Sequence, residues 1–212
     1  MARVTILVPR GAEADAVRRA QTTARVIGLP AGAACLNALP DFDERETVVA
    51  MGLCGSLWRL KTGAVAIYGR VVDGTQAIDL DSRLIDELTG ALPRAVVVNA
   101  FTAKRVVTAV VARTALAQRY NADVVDMEGA HLAAALRARG VRFAMVRVVS
   151  DDASRDLPPM DDAIDANGRV QPVPIALAFA RAPLAAIAFV RDVRSALGVL
   201  TETARAINLA AV

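Results

Sequence analysis

Residues 122–152, ADVVDMEGAHLAAALRARGVRFAMVRVVSDD, read as strand, helix, strand, and both strands end in carboxylates. Val124-Val125 leads into Asp126-Met127-Glu128, and residues 143–149 lead into Ser150-Asp151-Asp152. Gly140 supplies the helix stop between them. In an open α/β sheet the carboxyl ends of the strands form the crevice in which ligands sit. Two successive strands that finish in Asp and Glu therefore point to a polar ligand site.

The pattern continues outward. A first strand at residues 4–8 ends at Pro9, and a helix follows over 12–21. An apolar segment, 47–51, runs into Gly52-Leu53-Cys54-Gly55-Ser56, which reads as a turn. Strands are expected at 64–68 and 94–99. A helix is expected at 81–89, capped by Asp81 or Ser82, and another at 110–120 with Val111 and Leu116 on one face. Residues 156–174 hold four prolines and an Asn167-Gly168 turn, so they form a loop before helices within 175–207, split by Pro183. Alternating strands and helices at this spacing predict an α/β fold: one domain over 1–212, with a mixed central β-sheet flanked by helices.

Composition narrows the function classes. The net charge is +3, but only Lys61 and Lys104 are lysines, the arginines are scattered, and aromatic residues make up 4%. A nucleic-acid surface needs a basic stripe with stacking platforms, and neither is visible. Cys35 and Cys54 lack zinc spacing, and with a single histidine, His131, a multi-histidine metal site is excluded. His131 itself reads as a helix-surface or packing residue. The chain opens directly on a strand, so a cytoplasmic protein with free thiols is expected. Mean hydropathy is high, +0.39, yet no apolar run reaches the roughly 18–20 residues of a membrane span.

Read one at a time, the polar tips stay ambiguous. Glycines at 52 and 55 let a ligand approach backbone N–H groups, or simply make a tight turn. Met127 offers a polarizable apolar surface and Glu128 two hydrogen-bond acceptors for a sugar diol; alternatively Met127 is core and Glu128 a favoured first-turn acid. Asp151, at the end of a buried strand, is an acid with a raised pKa or a helix cap.

Together, DMEG, one helix and VRVVSDDA resemble the paired motifs of the nucleoside phosphorylase and nucleosidase superfamily. MGLCGSL followed by LKTGAVAI is similar to that family's glycine-rich ribose-side turn and the strand after it, and ILVPRGAEAD to its first strand and acidic turn. The likeness covers the first 155 residues or so. LPPMDDAIDANGRVQP and the helices after it resemble the hopanoid-associated phosphorylase branch, which removes adenine from adenosylhopane.

The resemblance implies cleavage of a purine N-glycosidic bond. Asp151 falls at the position of the acid that protonates the base at N7, and an Asp there suits a 6-amino purine, hence adenine. Glu128 would accept the ribose hydroxyls, Met127 would pack beneath the sugar, Ser150 would orient Asp151, and Cys54 and Gly55 would lie on the ribose side. The attacking group is left open between two readings. Glu13 stands near the place of a water-activating glutamate; Arg10 and the Gly52 backbone could instead hold inorganic phosphate as co-substrate. Leu53 stands where a hydroxyl residue is common, Gly129 where Ser or Ala is, and Ser154 where a second acid often follows. No cofactor or metal is implied. The partner expected is a small purine nucleoside, with a homo-oligomer by resemblance. Ile175, Leu177, Phe179, Leu184, Ile187 and Phe189 could line a channel for an apolar, lipid-linked 5′ substituent, or meet a membrane surface beside Arg181, Arg191 and Arg194; core packing or a subunit interface is the plainer alternative. A methylthioadenosine or adenosylhomocysteine nucleosidase, and a non-catalytic nucleoside-binding protein, are the other readings.

Overall fold

Val- and Ile-rich runs with no solvent-facing alternation, such as VTILV and FAMVRVV, can only lie in a sheet covered on both faces, and that is where they are found. A computed structural model describes residues 3–43, 45–160, 164–165 and 167–210; part of the proline-rich loop expected at 156–174 (161–163 and 166) lies outside the described residues. The strands are β1 (Arg3–Pro9), β2 (Arg25–Leu29), β3 (Glu46–Ser56), β4 (Val65–Val72), β5 (Ala77–Asp79), β6 (Val96–Thr102), β7 (Val124–Asp126) and β8 (Arg142–Asp151). The helices are α1 (Ala12–Arg19), α2 (Ser82–Ala91), α3 (Val110–Tyr120), α4 (Gly129–Ala138), α5 (Pro172–Arg181) and α6 (Pro183–Ala210), with a 3₁₀ turn at Gly32–Ala38.

The sheet is mixed. β1 lies parallel between β2 and β3, while β8 runs parallel to β3 and antiparallel to β4. β4 then pairs in parallel with β6, and β6 with β7. The end of β3 crosses to pair antiparallel with β7, through Gly55 and Ser56, so β3, β8, β4, β6 and β7 close into a ring. Two cores flank it. Leu132 and Leu136 of α4 pack on one face with Tyr68 and Met145; Val17 of α1, Leu88 of α2 and Leu200 of α6 pack on the other with Ile6 and Val146. This is the three-layer α/β arrangement expected.

Local signals explain the boundaries. Asp81, not Ser82, caps α2, its carboxylate accepting from the N–H groups of Arg83 and Leu84 at 2.9 and 3.1 Å. Gly140 takes φ +66° just past α4. Gly168 takes φ +70° in the Asn-Gly turn, flanked by a bridge between Ile164 and Val170. Two expectations are corrected. Residues 52–56 are not a turn but the continuation of β3, bent by a bulge between Cys54 and Gly55. Val111 and Leu116 do not share a face: Val111 is 82% exposed, because five residues at about 100° each place the two side chains well apart around α3.

Candidate active site

β1, β3 and β8 run in parallel, and the closed ring of strands brings the end of antiparallel β7 round to theirs, so the carboxyl termini of all four surround one cleft of about 290 Å3. Glu13, Leu53, Cys54, Gly55, Met127, Glu128, Ser150 and Asp151 line it. The residues singled out in the sequence as acid, sugar clamp and water-activating base thus meet in one place. Arg10 does not join them. Its side chain is exposed and donates from Nε to the Gly28 carbonyl oxygen at 3.1 Å. Gly52 is placed behind the cleft wall, where a Cβ would lie 2.1 Å from Arg147 Nη1 and 2.7 Å from Glu13 Oε1. It makes room for those two side chains.

Asp151 sits at the end of β8, 6% exposed. Ser150 Oγ donates to its Oδ1 at 2.6 Å, and Arg113 Nη2 lies 2.6 Å from its Oδ2. Burial raises the Asp151 carboxyl above its ordinary value, against the pull of the Arg113 charge and the Ser150 hydrogen bond. Glu128, at the start of α4, accepts from the Gly32 N–H at 2.7 Å, and Arg147 Nη2 stands 3.6 Å from its other oxygen. Burial raises Glu128 as well, opposed chiefly by Arg147. Glu13, in the first turn of α1, accepts from the Leu53 N–H at 2.6 Å. Burial, and then the charge of Glu128, push it up to about 7.

Two arginines escaped the sequence reading. Arg147, inside β8 and fully buried, donates to the Met51 carbonyl oxygen at 2.9 Å and lies 3.5 Å from Asp126. Its surroundings of carboxylates hold its pKa above the ordinary value despite burial. Asp126 is itself fixed by Thr102 Oγ1 at 2.8 Å, by the Gly129 N–H at 3.1 Å and by the Tyr68 hydroxyl at 3.3 Å. A Cβ on residue 129 would fall 2.6 Å from an Asp126 oxygen, which accounts for glycine there. Arg147 had a signal: a charge in a strand with apolar neighbours on both faces has no route to water and must be paired inside. Arg113, in a helix of mixed polarity, had none.

Apart from Arg105, Arg113 and Asp126, the rest of the cleft wall is apolar, with Val106, Leu157, Met160, Ile164, Ile175 and Phe189 among its residues. Of the six tail residues considered for a channel, Ile175 and Phe189 reach it. Leu177, Leu184 and Ile187 face outward, 52%, 83% and 68% exposed, because α5 and α6 turn only one side to the body. Phe179 meets Phe189 edge-on and helps line a separate shallow groove. Among the described residues no cluster suits a metal ion, and no helix is long and apolar enough to cross a membrane. Cys35 and Cys54 are free and buried, with thiols pushed up by desolvation.

The sequence pattern of the phosphorylase superfamily matches residues 72–177, half of the chain, from the end of β4 into α5 and including both acid-tipped strands. The chain belongs to the phosphorylase superfamily. It is accordingly an enzyme of the nucleoside phosphorylase and nucleosidase class, which acts at the N-glycosidic bond. Solved structures share its fold over nearly their whole length. Native futalosine hydrolase of Helicobacter pylori strain 26695 is 13% identical, with a TM-score of 0.68 over 97% of this chain and 96% of that one. The 5′-methylthioadenosine/S-adenosyl homocysteine nucleosidase of Campylobacter jejuni is 13% identical, with a TM-score of 0.68 over 100% and 99%. Arabidopsis thaliana 5′-methylthioadenosine nucleosidase in apo form is 16% identical, with a TM-score of 0.65 over 99% and 96%. A comparison with curated protein sequences found no match.

Proposed function

We propose that the chain releases adenine from a 5′-substituted adenine nucleoside by water attack, with Asp151 as the acid and Glu13 as the base. The observation that carries this is the pair of raised carboxyls facing one cleft from different elements, Asp151 at the end of β8 and Glu13 in the first turn of α1, beside β3. Cleaving the bond makes an oxocarbenium-like sugar and a poor leaving anion, so protonation at N7 lowers the barrier from the leaving side. Burial shifts Asp151 toward the protonated form, the form that step needs. Glu13, at about 7, is partly ionised near neutrality and can take a proton from water. Glu128 has spare lone pairs for a sugar diol, and half-buried Met127 offers the sugar an apolar seat. Phosphate attack has less support, since Arg10 points away to Gly28 and Gly52 is filled from behind by Arg147 and Glu13.

The apolar wall supports a large, greasy 5′ substituent, for which adenosylhopane is the proposed example. Fold likeness to the methylthioadenosine nucleosidases favours a second reading, a small thioether at the same carbon. Incubation with methylthioadenosine and with adenosylhopane, each with and without phosphate, separates the two by the adenine released. Release that needs phosphate would overturn the hydrolytic assignment, and no release from either nucleoside would overturn the reading of the substrate as a 5′-substituted adenine nucleoside.

A further inference from the structure

Arg113 is a charged residue 1% exposed, set in the first turn of α3 and pointing into the wall of the cleft. Its guanidinium is pinned from several directions. Nε donates to the Val107 carbonyl oxygen at 2.9 Å, and Nη1 donates to the Asp152 carbonyl oxygen at 3.2 Å and, more weakly, to that of Ser56 at 3.5 Å. Nη2, left over, meets Asp151 Oδ2 at 2.6 Å. One side chain therefore joins the end of β3, the end of β8 and the segment 103–109, whose Arg105, Val106 and Val107 line the cleft. The same junction is tightened by the Val110 N–H, which donates to Asp156 Oδ1 at 2.7 Å, and by the Leu157 N–H, which donates to the Thr108 carbonyl oxygen at 3.0 Å.

We propose that Arg113 is the positioning residue for Asp151: it locks the carboxyl to the segment 103–109 as one rigid unit and sets the strength of the acid. The inference rests on the reading of Asp151 as the acid. With Ser150 donating to one oxygen and the Arg113 charge in contact with the other, the carboxyl is held in one orientation toward a base in the cleft. The charge matters as much as the fork. A buried carboxyl with no cation nearby would hold its proton too firmly to give it up, and a general acid works best when its pKa lies near the working pH. Arg113 is the cation in contact with Asp151. Asp152 is its neighbour on the strand, itself tied to Lys61 at 3.4 Å; Cys54 faces it from β3; Glu13, Glu128 and Arg105 face the same cleft, with Arg147 behind.

Titration of isotope-labelled aspartate carboxyls by NMR tests this on the whole protein, with the Asp151 signal identified by its loss in Asp151→Asn. In Arg113→Met, Asp151 is expected to titrate about one pH unit or more higher than in the wild type. In Arg113→Lys, which keeps the charge but not the fork, it stays within about half a unit while kcat for adenine release, from whichever of adenosylhopane and methylthioadenosine the wild type cleaves, falls about tenfold with KM little changed. Asp151 titrating at the same pH in Arg113→Met and wild type would overturn the proposal. Should the Met variant not fold, an Arg113→Lys enzyme with wild-type kcat overturns it instead. The underlying reading fails separately: Asp151→Asn releasing adenine as fast as wild type removes the acid role, whatever the titration shows.

Discussion

Glu13 carries its carboxyl where charge is penalised twice, by burial and by Glu128 across the cleft, and only the Leu53 N–H and the Arg147 charge offset this. A base with a value of about 7 gains activity as pH rises through neutrality, since only the ionised form accepts a proton. The kcat/KM profile of the wild type is therefore expected to climb through that range. Glu13→Gln should lose the limb and about a hundredfold in kcat; a limb that persists in the variant would belong to another group. Arg147 makes the complementary case. Fully buried beside Asp126 and Glu128, it is their counter-charge, and Arg147→Met would leave both carboxylates unpaired in the interior. Breaking a buried pair on one side costs about 3–5 kcal/mol, a loss that urea unfolding would register. A variant within about 1 kcal/mol of wild type would mean that Asp126 and Glu128 do not depend on it.

β3 shows how an element builds the site. It runs beside β8 up to Cys54, slips by one residue, and then turns its last pair of residues to β7, so that both acid-tipped strands hang from one strand. Gly52 lies where Arg147 and Glu13 close over the backbone, at φ +153°. Gly52→Ala is expected to cost several kcal/mol, on the order of 3, because a buried guanidinium cannot retreat from a new methyl group. Thermal unfolding measures this, and an unchanged Tm would show that the Arg147 side chain has room to move. The order of strands and helices was legible because apolar runs, caps and glycine stops are local signals, and acid-tipped strand ends pointed to one crevice; that the end of β7, antiparallel to β3, comes round to the end of β8 follows from the closing of the ring of strands. The continuation of β3 was not legible. Glycine suits a turn and a close approach equally, and what decides here is Arg147, distant in sequence but adjacent in the sheet. How the α5 and α6 side chains divide between cleft and surface was left open for a related reason: periodicity tells that a helix has an apolar side, not how many sides the body can cover.

At the scale of the whole molecule, the cleft concentrates carboxyls whose folded pKa exceeds the unfolded one: Glu13, Glu128 and Asp151. Each binds its proton more firmly in the folded chain. The stability this gives is fully present below the unfolded value and is lost as pH rises through the folded one. Asp73 and Asp152 run the other way: although partial burial works against them, hydrogen bonds from Thr75 and Gln76, and from Ser154 and Lys61, hold their carboxyls below the ordinary value. They add stability above the unfolded value and lose it as pH falls from there through the folded one. For Glu13 the window is set by its own numbers, from the ordinary 4.5 to about 7. Comparison with Glu13→Gln isolates it, since the amide keeps the shape and drops the titration. Measured by urea unfolding at several pH values, the stability of wild type minus that of the variant should fall across this window by on the order of 3 kcal/mol and level off above it. A difference that stays constant with pH would show that Glu13 ionises as freely folded as unfolded, and would remove it as a base tuned by the fold. A difference that rises would mean that Arg147 outweighs burial, leaving Glu13 ionised throughout the working range and unable to impose a limb on the rate.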